Sequence, residues 1–274
     1  MSVPNFIYGT AWKEKETERL TRLALEAGFR GIDTANQRRH YFEAGVGFAV
    51  AKAIADGLVR RDELFLQTKF TYVDGQDHRL PYDSKADAVT QVRQSFASSL
   101  EHLQVDSIDS YVLHGPSQRN GLGSIDHEVW RAMEEQNESG KTRYLGISNV
   151  APDQLKELWS RAVVRPTFVQ NRCFARLGWD REVRAFCRNN GVVYQGFSLL
   201  TANVKELQHS DFWRIVERAH KTPAQIVFRF ALQAGILPLT GTTDVAHMRE
   251  DLDIHDFELT GEDVRTIENI GVRQ

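Results

Sequence analysis

Four side chains that can hold or move a proton follow three successive apolar runs of the chain. Asp33, Lys69 and His114 each end such a run, and Tyr41 follows Asp33 after a polar turn. A tyrosine has an ordinary pKa of about 10, and a neighbouring ammonium lowers it. A buried carboxylate beside the ammonium keeps that ammonium charged. These residue types therefore predict a site that donates a proton to a carbonyl oxygen during reduction, with His114 donating to the same oxygen.

Each of the four residues also has an ordinary structural interpretation. Tyr41 could be an aromatic residue at a helix start, and Lys69 a solvated lysine at a strand end. His114 could be a turn histidine, and Asp33 could cap a turn through its side chain. All four ordinary interpretations would have to be true together, at corresponding ends of the predicted strands. The pattern therefore favours one common site that contains all four residues.

Apolar runs of strand length recur along the whole chain, and apolar residues at helical spacing follow them. The helical pattern is clearest over residues 85–104, and Thr260 begins a capping box before the last helix. This alternation predicts one (β/α)8 barrel over residues 1–274, in which strand carboxyl ends share one face. Residues 71–84 are predicted to form an exposed loop. The strand candidates are residues 6–10, 31–33, 64–70, 108–114, 144–149, 168–171, 192–198 and 236–241.

The composition is that of an ordinary globular protein. Of the 274 residues, 41% are hydrophobic and 26% charged, and the net charge of -3 gives no reason to expect nucleic acid or an anionic membrane as a partner. Two cysteines are too few for a disulfide framework, and no metal-ligand spacing is present. No apolar run approaches the length of a membrane span, and the start lacks the pattern of a secretory signal. We therefore expect a cytoplasmic protein without a metal.

Several short motifs, in this order and spacing, resemble those of the aldo-keto reductases. They are Gly31-Ile32-Asp33-Thr34-Ala35 with Tyr41 downstream, Thr68-Lys69, Leu113-His114-Gly115-Pro116 and Gly146-Ile147-Ser148-Asn149. The resemblance implies a monomeric barrel that reduces small aldehydes or ketones with NADPH, or alternatively NADH, by direct hydride transfer. In that family Tyr41 would be the general acid, Lys69 and Asp33 would tune it, and His114 would orient the carbonyl.

The resemblance also implies where the cofactor binds. Ser148, Asn149 and Gln170 would hold the nicotinamide carboxamide, and Phe197 would stack on its ring, unless Phe197 is a core residue. Trp12 is a candidate substrate contact, with a core tryptophan as the alternative. The remaining cofactor positions implied by the family are Gly9, Thr10, Ser198, Leu200, Thr240, Thr242, His247, Glu250 and Asp251.

Some positions depart from the family pattern. Glycine follows His114 where many members have a bulky aromatic residue, which predicts a wider substrate pocket. Leu239, Thr240 and His247 occupy positions where the family places Lys, Ser and Arg around the 2′-phosphate of NADPH. Loss of cations weakens a phosphate site. The remaining candidates to donate hydrogen bonds to the 2′-phosphate are Thr240, Thr242, Thr243 and Arg249. The chain ends soon after the last helix, which predicts an open pocket.

Two other functions remain open at this stage. A non-catalytic barrel could bind a dinucleotide as a regulatory module, and it would then bind the cofactor without turning over a carbonyl. A lyase could use Lys69 as a Schiff base. Asp33 argues against the lyase because it keeps the lysine charged rather than nucleophilic.

Overall fold

The computed structural model describes residues 3–272, and its centre is a closed barrel of eight parallel strands. Each strand pairs with its neighbours in chain order, and the last strand closes the barrel by pairing with the first. This confirms the (β/α)8 barrel predicted from the sequence. The strands are β1 (Ile7–Gly9), β2 (Gly31–Asp33), β3 (Phe65–Phe70), β4 (Ile108–Leu113), β5 (Thr142–Ser148), β6 (Phe168–Arg172), β7 (Val193–Phe197) and β8 (Ile236–Thr240).

Helices surround the barrel and connect its strands. Two of them lie between β7 and β8, and two follow β8. The helix over residues 210–219 was not predicted from the sequence, although Phe212, Ile215 and Val216 have helical spacing and are buried there. The helices are α1 (Thr17–Ala27), α2 (Glu43–Ala55), α3 (Ala88–Leu103), α4 (Ser124–Glu138), α5 (Pro152–Arg161), α6 (Arg181–Asn189), α7 (Ser210–Ala219), α8 (Pro223–Gln233), α9 (Val245–Leu252) and α10 (Gly261–Asn269).

Strand β3 shows how the barrel positions polar side chains. Successive residues of a strand point to opposite faces. Leu66 and Phe70 pack outward in the large core between strands and helices, whereas Phe65 packs in a smaller apolar cluster inside the barrel. Gln67 and Lys69 continue the inward series above Phe65, and both are fully buried. The barrel interior is therefore apolar at its base and polar toward the carboxyl ends of the strands.

The loop after β3 is only partly exposed, which corrects the expectation for residues 71–84. Val73 and Asp74 are exposed, but Thr71, Gln76 and Tyr82 are buried. The Tyr82 hydroxyl donates to the main-chain oxygen of Thr71 at 2.7 Å. The sequence suggested exposure because Gly, Pro and charged residues are frequent here, yet the buried residues fix the loop against the barrel. Within residues 3–272, no helix has the length and apolar character needed to cross a membrane.

Candidate active site

A buried ion pair joins β2 to β3 at the carboxyl end of the barrel. Lys69 Nζ lies 2.7 and 2.6 Å from the two carboxylate oxygens of Asp33, and it donates to the main-chain oxygen of Thr34 at 2.8 Å. These three acceptors match the three protons of an ammonium. Burial lowers the pKa of Lys69, and the charge of Asp33 opposes that shift. The predicted pairing of Asp33 and Lys69 is therefore present in the structure.

Three glutamines form a hydrogen-bonded group beside Asp33, and two of them donate to its carboxylate. Oδ1 accepts from Gln67 Nε2 at 2.7 Å and from Gln170 Nε2 at 3.0 Å. Gln67 and Gln195 exchange two hydrogen bonds of 2.8 and 3.0 Å, and Gln170 also donates to Gln195 at 2.9 Å. Neither Gln67 nor Gln195 was predicted from the sequence to belong to the site. The local pattern does not single out Gln67, because Thr68 and Lys69 are also polar residues of β3.

Tyr41 lies beside the ion pair, two residues before α2. Lys69 Nζ is 5.2 Å from the centre of the tyrosine ring, and the rings of Tyr41 and His114 meet edge to face with centres 6.0 Å apart. Burial, together with the charge of Asp33, raises the pKa of Tyr41 above its ordinary value. The net shift of the Tyr41 pKa is therefore upward, which corrects the lowered pKa expected from the contact with Lys69 considered alone. Tyr41 consequently keeps its proton at neutral pH, as a proton donor must.

His114 directly follows β4 and faces Tyr41. Burial lowers the pKa of His114 to about 3, and the charges of Lys69 and His40 act in the same direction. The ring is therefore neutral at physiological pH and carries one proton. Its Nδ1 lies 2.7 Å from the hydroxyl oxygen of Thr71, another residue that the sequence analysis missed.

A cavity of about 1160 Å³ opens above these residues, larger than the roughly 300–1,000 Å³ of ordinary small-molecule sites. It brings together three of the four predicted catalytic residues, namely Asp33, Tyr41 and His114. Lys69 does not line the cavity, and Thr10 is also buried behind the wall, where its hydroxyl donates to the main-chain oxygen of Asp33 at 2.9 Å. The other predicted residues that line it are Gly9, Trp12, Ser148, Asn149, Gln170, Phe197, Ser198, Leu200, Thr240, Thr242, His247, Glu250 and Asp251.

The polar side chains predicted to hold a carboxamide meet at one wall of the cavity. Asn149 Nδ2 donates to the main-chain oxygen of His114 at 2.8 Å and to Ser148 Oγ at 3.1 Å. Gln170 uses its Nε2 on Asp33 and Gln195. Since both amide nitrogens are engaged, the side-chain oxygens of Asn149 and Gln170 are the groups left to accept from a bound amide.

Aromatic residues form two further parts of the cavity. Phe197 is half-buried: it packs against the apolar cluster inside the barrel and also lines the cavity, where the Arg172 guanidinium lies 5.6 Å from the centre of its ring. Trp12 is 72% exposed, which rules out the core alternative for this tryptophan. Its ring lies 4.0 Å from that of His40, centre to centre, and its φ of 62° is unusual for a bulky residue. Neither Arg172 nor His40 was singled out from the sequence.

Lys13 is a buried cation at the same cavity, and the sequence analysis missed it as well. It is 8% exposed and donates to the main-chain oxygen of Gly241. Burial lowers the pKa of Lys13, and among residues 3–272 it forms no ion pair. A buried ammonium without a carboxylate partner is costly unless an anion reaches it. The wall between β1 and β8 is therefore suited to a phosphate.

Comparison with known proteins agrees with this geometry. The family model for the aldo/keto reductase family matches residues 6–272. The chain belongs to this family. Accordingly, it is an oxidoreductase with a (β/α)8 fold, as the resemblance of its motifs predicted.

Individual relatives match this chain over nearly its whole length. The glyoxal reductase of Bacillus subtilis is 31% identical over 254 residues, which are 92% of this chain and 83% of that protein. A crystal structure of an aldo/keto reductase from Brucella melitensis has a TM-score of 0.83 and 27% identity, covering 98% of this chain and 95% of that one. An aldo-keto reductase complexed with NADPH has a TM-score of 0.83 and 26% identity, covering 98% and 84% of the two chains.

The end of the cavity formed by β8 and α9 contains a buried carboxyl group, Asp251, that is hydrogen-bonded to a threonine. Thr240 Oγ1 donates to Asp251 Oδ2 at 2.7 Å, and burial raises the pKa of Asp251 to about 6. Thr243 and Arg249, the other donor candidates, do not line the cavity. Among the described residues, no cluster of His, Cys, Asp and Glu could hold a metal ion.

The raised pKa of Asp251 makes stability depend on pH. The folded protein binds this proton more tightly than the unfolded chain, so the ionised carboxylate costs stability above about pH 6. We expect Asp251→Asn, which keeps an acceptor for Thr240, to stabilise the fold by about 1–3 kcal/mol near neutral pH. The gain should largely disappear as the pH falls toward about 4.

Urea denaturation at the two pH values measures this effect. Asp253→Asn, at an exposed position following α9, is the matched control and should change the free energy of unfolding little at either pH. An equal effect of Asp251→Asn at both pH values would contradict a raised pKa in the folded state.

Proposed function

We propose that this protein is an NAD(P)H-dependent reductase of aldehydes or ketones. The observation that carries the proposal is the convergence of Tyr41 and His114 on one large cavity, beside the buried ion pair of Lys69 and Asp33. The two rings lie 6.0 Å apart, and Lys69 Nζ lies 5.2 Å from the tyrosine ring. This arrangement fits an oxygen that receives a proton as negative charge develops on it.

Each residue of the group then has a role. Tyr41 donates its phenolic proton to the substrate oxygen, and His114 donates a hydrogen bond that orients the same oxygen. Lys69 stabilises the phenolate that remains, because a cation near the ring favours the charged form. Asp33 keeps Lys69 charged and in place. A reduced nicotinamide bound at this cavity supplies the hydride.

The cavity also fits a dinucleotide cofactor. The amide oxygens of Asn149 and Gln170, with Ser148, would hold the nicotinamide carboxamide, and Phe197 would stack on its ring. Ser198 and Leu200 would lie along the pyrophosphate, while Thr240, Glu250 and Asp251 would meet the adenosine end. Lys13 supplies the positive charge that phosphates require.

Lys13 provides a direct test of cofactor placement. We expect Lys13→Met, which keeps most of the buried side-chain volume, to weaken NADPH binding by about 10- to 100-fold. The reason is the loss of one charge-assisted contact to a phosphate. Fluorescence titration of the purified variants measures it, and Lys15→Met, at an exposed position in the same loop, is the matched control. Unchanged affinity in Lys13→Met would place the phosphates elsewhere.

We propose NADPH as the cofactor, in line with the NADPH complex of the related structure. One observation favours NADH as the alternative. The cavity end formed by β8 and α9 is lined by the carboxylates of Glu250 and Asp251 and by His247, with neither Lys nor Arg from α9. A 2′-phosphate is dianionic and prefers cations, so titration with both cofactors decides between them.

The same titration, followed by addition of a reactive aromatic aldehyde, tests the function as a whole. Binding followed by a fall in the absorbance of the reduced nicotinamide supports the reductase. Binding without oxidation would support the non-catalytic regulatory barrel instead. Trapping of a substrate on Lys69 by borohydride would support the lyase, which is disfavoured because Lys69 already has three acceptors.

A further inference from the structure

Thr71 lies directly behind His114, and the two side chains are in hydrogen-bond contact. Thr71 Oγ1 is 2.7 Å from His114 Nδ1. We propose that Thr71 is a positioning residue that fixes the tautomer of His114, with the proton on Nε2. The effect on catalysis rests on the proposed reductase function, whereas the tautomer itself does not.

The direction of this hydrogen bond follows from the surroundings of the hydroxyl. Thr71 is 6% exposed, and His114 Nδ1 is the hydrogen-bond partner of its hydroxyl within residues 3–272. If Nδ1 carried the proton and donated, the hydroxyl proton of Thr71 would be buried without an acceptor. A buried donor without an acceptor costs about 1–3 kcal/mol, which favours the tautomer in which the Thr71 hydroxyl donates. Thr71 therefore donates, and Nδ1 accepts.

The loop after β3 holds the threonine in the orientation that this requires. The main-chain oxygen of Thr71 accepts from the Tyr82 hydroxyl at 2.7 Å. Its methyl group packs against Gly75 so closely that a Cβ built on the glycine would lie 2.6 Å from Thr71 Cγ2. Because the methyl group is fixed on this side, the hydroxyl is directed at the imidazole. This gives the loop of residues 71–84 a function that its composition did not indicate.

The consequence for His114 is a donor aimed at the cavity. His114 lines the cavity and Thr71 does not, so Nε2 is the ring nitrogen left for a ligand. A neutral imidazole has one donor and one acceptor. With Nδ1 accepting from Thr71, Nε2–H can donate to a carbonyl oxygen. With the opposite tautomer, Nε2 would present a lone pair and repel that oxygen.

Long-range ¹H–¹⁵N NMR of the ¹⁵N-histidine-labelled protein reports the tautomer directly. The His114 signals are assigned by their loss in His114→Gln. We expect the Nε2–H pattern in the wild type and in Thr71→Ser, and a changed pattern in Thr71→Val. An Nδ1–H wild type, or a Thr71→Val pattern identical to the wild type, would overturn the proposal. This NMR measurement does not require the protein to turn over a substrate.

Kinetics supply the second readout. We expect Thr71→Val to lower kcat/KM for an aldehyde by about tenfold, because one hydrogen bond in the transition state is lost. The affinity for the cofactor should be unchanged. Thr71→Ser should restore most of the activity because it keeps the hydroxyl. Thr21→Val is the matched control, since Thr21 is buried in α1 and its hydroxyl has no partner among the described residues. Equal losses in Thr71→Ser and Thr71→Val would overturn the proposal by making the effect one of packing.

Discussion

Replacement of Tyr41 by phenylalanine should lower kcat/KM for aldehyde reduction by about 10²–10⁴-fold, the usual contribution of a general acid. The change removes only the hydroxyl, so the ring keeps its contacts with Lys69 and His114. Cofactor affinity should stay within about twofold, because the proposed phosphate and carboxamide contacts do not involve Tyr41. Steady-state kinetics and cofactor titration of the same preparation measure both quantities.

Tyr144→Phe is the matched control for this experiment. Tyr144 lies on β5, where its ring packs against Arg143 and Phe168, and it does not line the cavity. Removal of the Tyr144 hydroxyl should leave kcat/KM for aldehyde reduction unchanged. If Tyr41→Phe kept its turnover but bound the cofactor weakly, Tyr41 would be a binding residue, and the proposed proton donor would be wrong.

Replacement of Lys69 by methionine should both inactivate and destabilise the protein. The carboxylate of Asp33 would then be buried without its cation, a loss that typically costs about 3–5 kcal/mol. Gln67 and Gln170 would still donate to Asp33 Oδ1, which places the expected cost toward the lower end of that range. Urea denaturation measures the free energy of unfolding.

The double variant Asp33→Asn/Lys69→Met separates the ion pair from general damage to the core. Because it removes both charges, it should be less destabilised than the sum of the two single variants. It should nevertheless remain inactive, since Tyr41 would lack its neighbouring cation. Additive losses in stability would contradict an energetic coupling between Asp33 and Lys69.

The sequence was sufficient to predict the barrel and the position of the ion pair. Asp33 and Lys69 end apolar runs, and the carboxyl ends of parallel strands meet on one face of a barrel. Strand periodicity is a local property, so it can be recognised without the rest of the fold.

The groups missed from the sequence are those whose role depends on distant contacts. Lys13 is notable only because Gly241, from the other end of the chain, lies against it. Thr71 becomes relevant through His114, 43 positions away, and Gln67 through Gln195, 128 positions away. Nothing in the local pattern of a Thr, a Lys or a Gln reveals such a partner.

Burial also explains the wrong direction predicted for the pKa of Tyr41. Considered as a pair, Tyr41 and Lys69 suggest a lowered pKa. In the folded protein, desolvation dominates and Asp33 adds a negative charge, so the pKa is raised instead. The balance depends on how deeply the ring lies in the barrel mouth, which no pairwise argument from sequence contains.

Transfer of deuterium from the cofactor tests the central claim most directly. The protein is incubated with an aromatic aldehyde and NADPH, or NADH, carrying two deuterium atoms at C4 of the nicotinamide, and the alcohol is analysed by mass spectrometry and NMR. We predict one deuterium on the carbinol carbon in the wild type, and formation of this labelled alcohol about 10²–10⁴-fold more slowly in Tyr41→Phe. Oxidation of the cofactor without deuterium in the alcohol, or binding without oxidation, would contradict direct hydride transfer at this site.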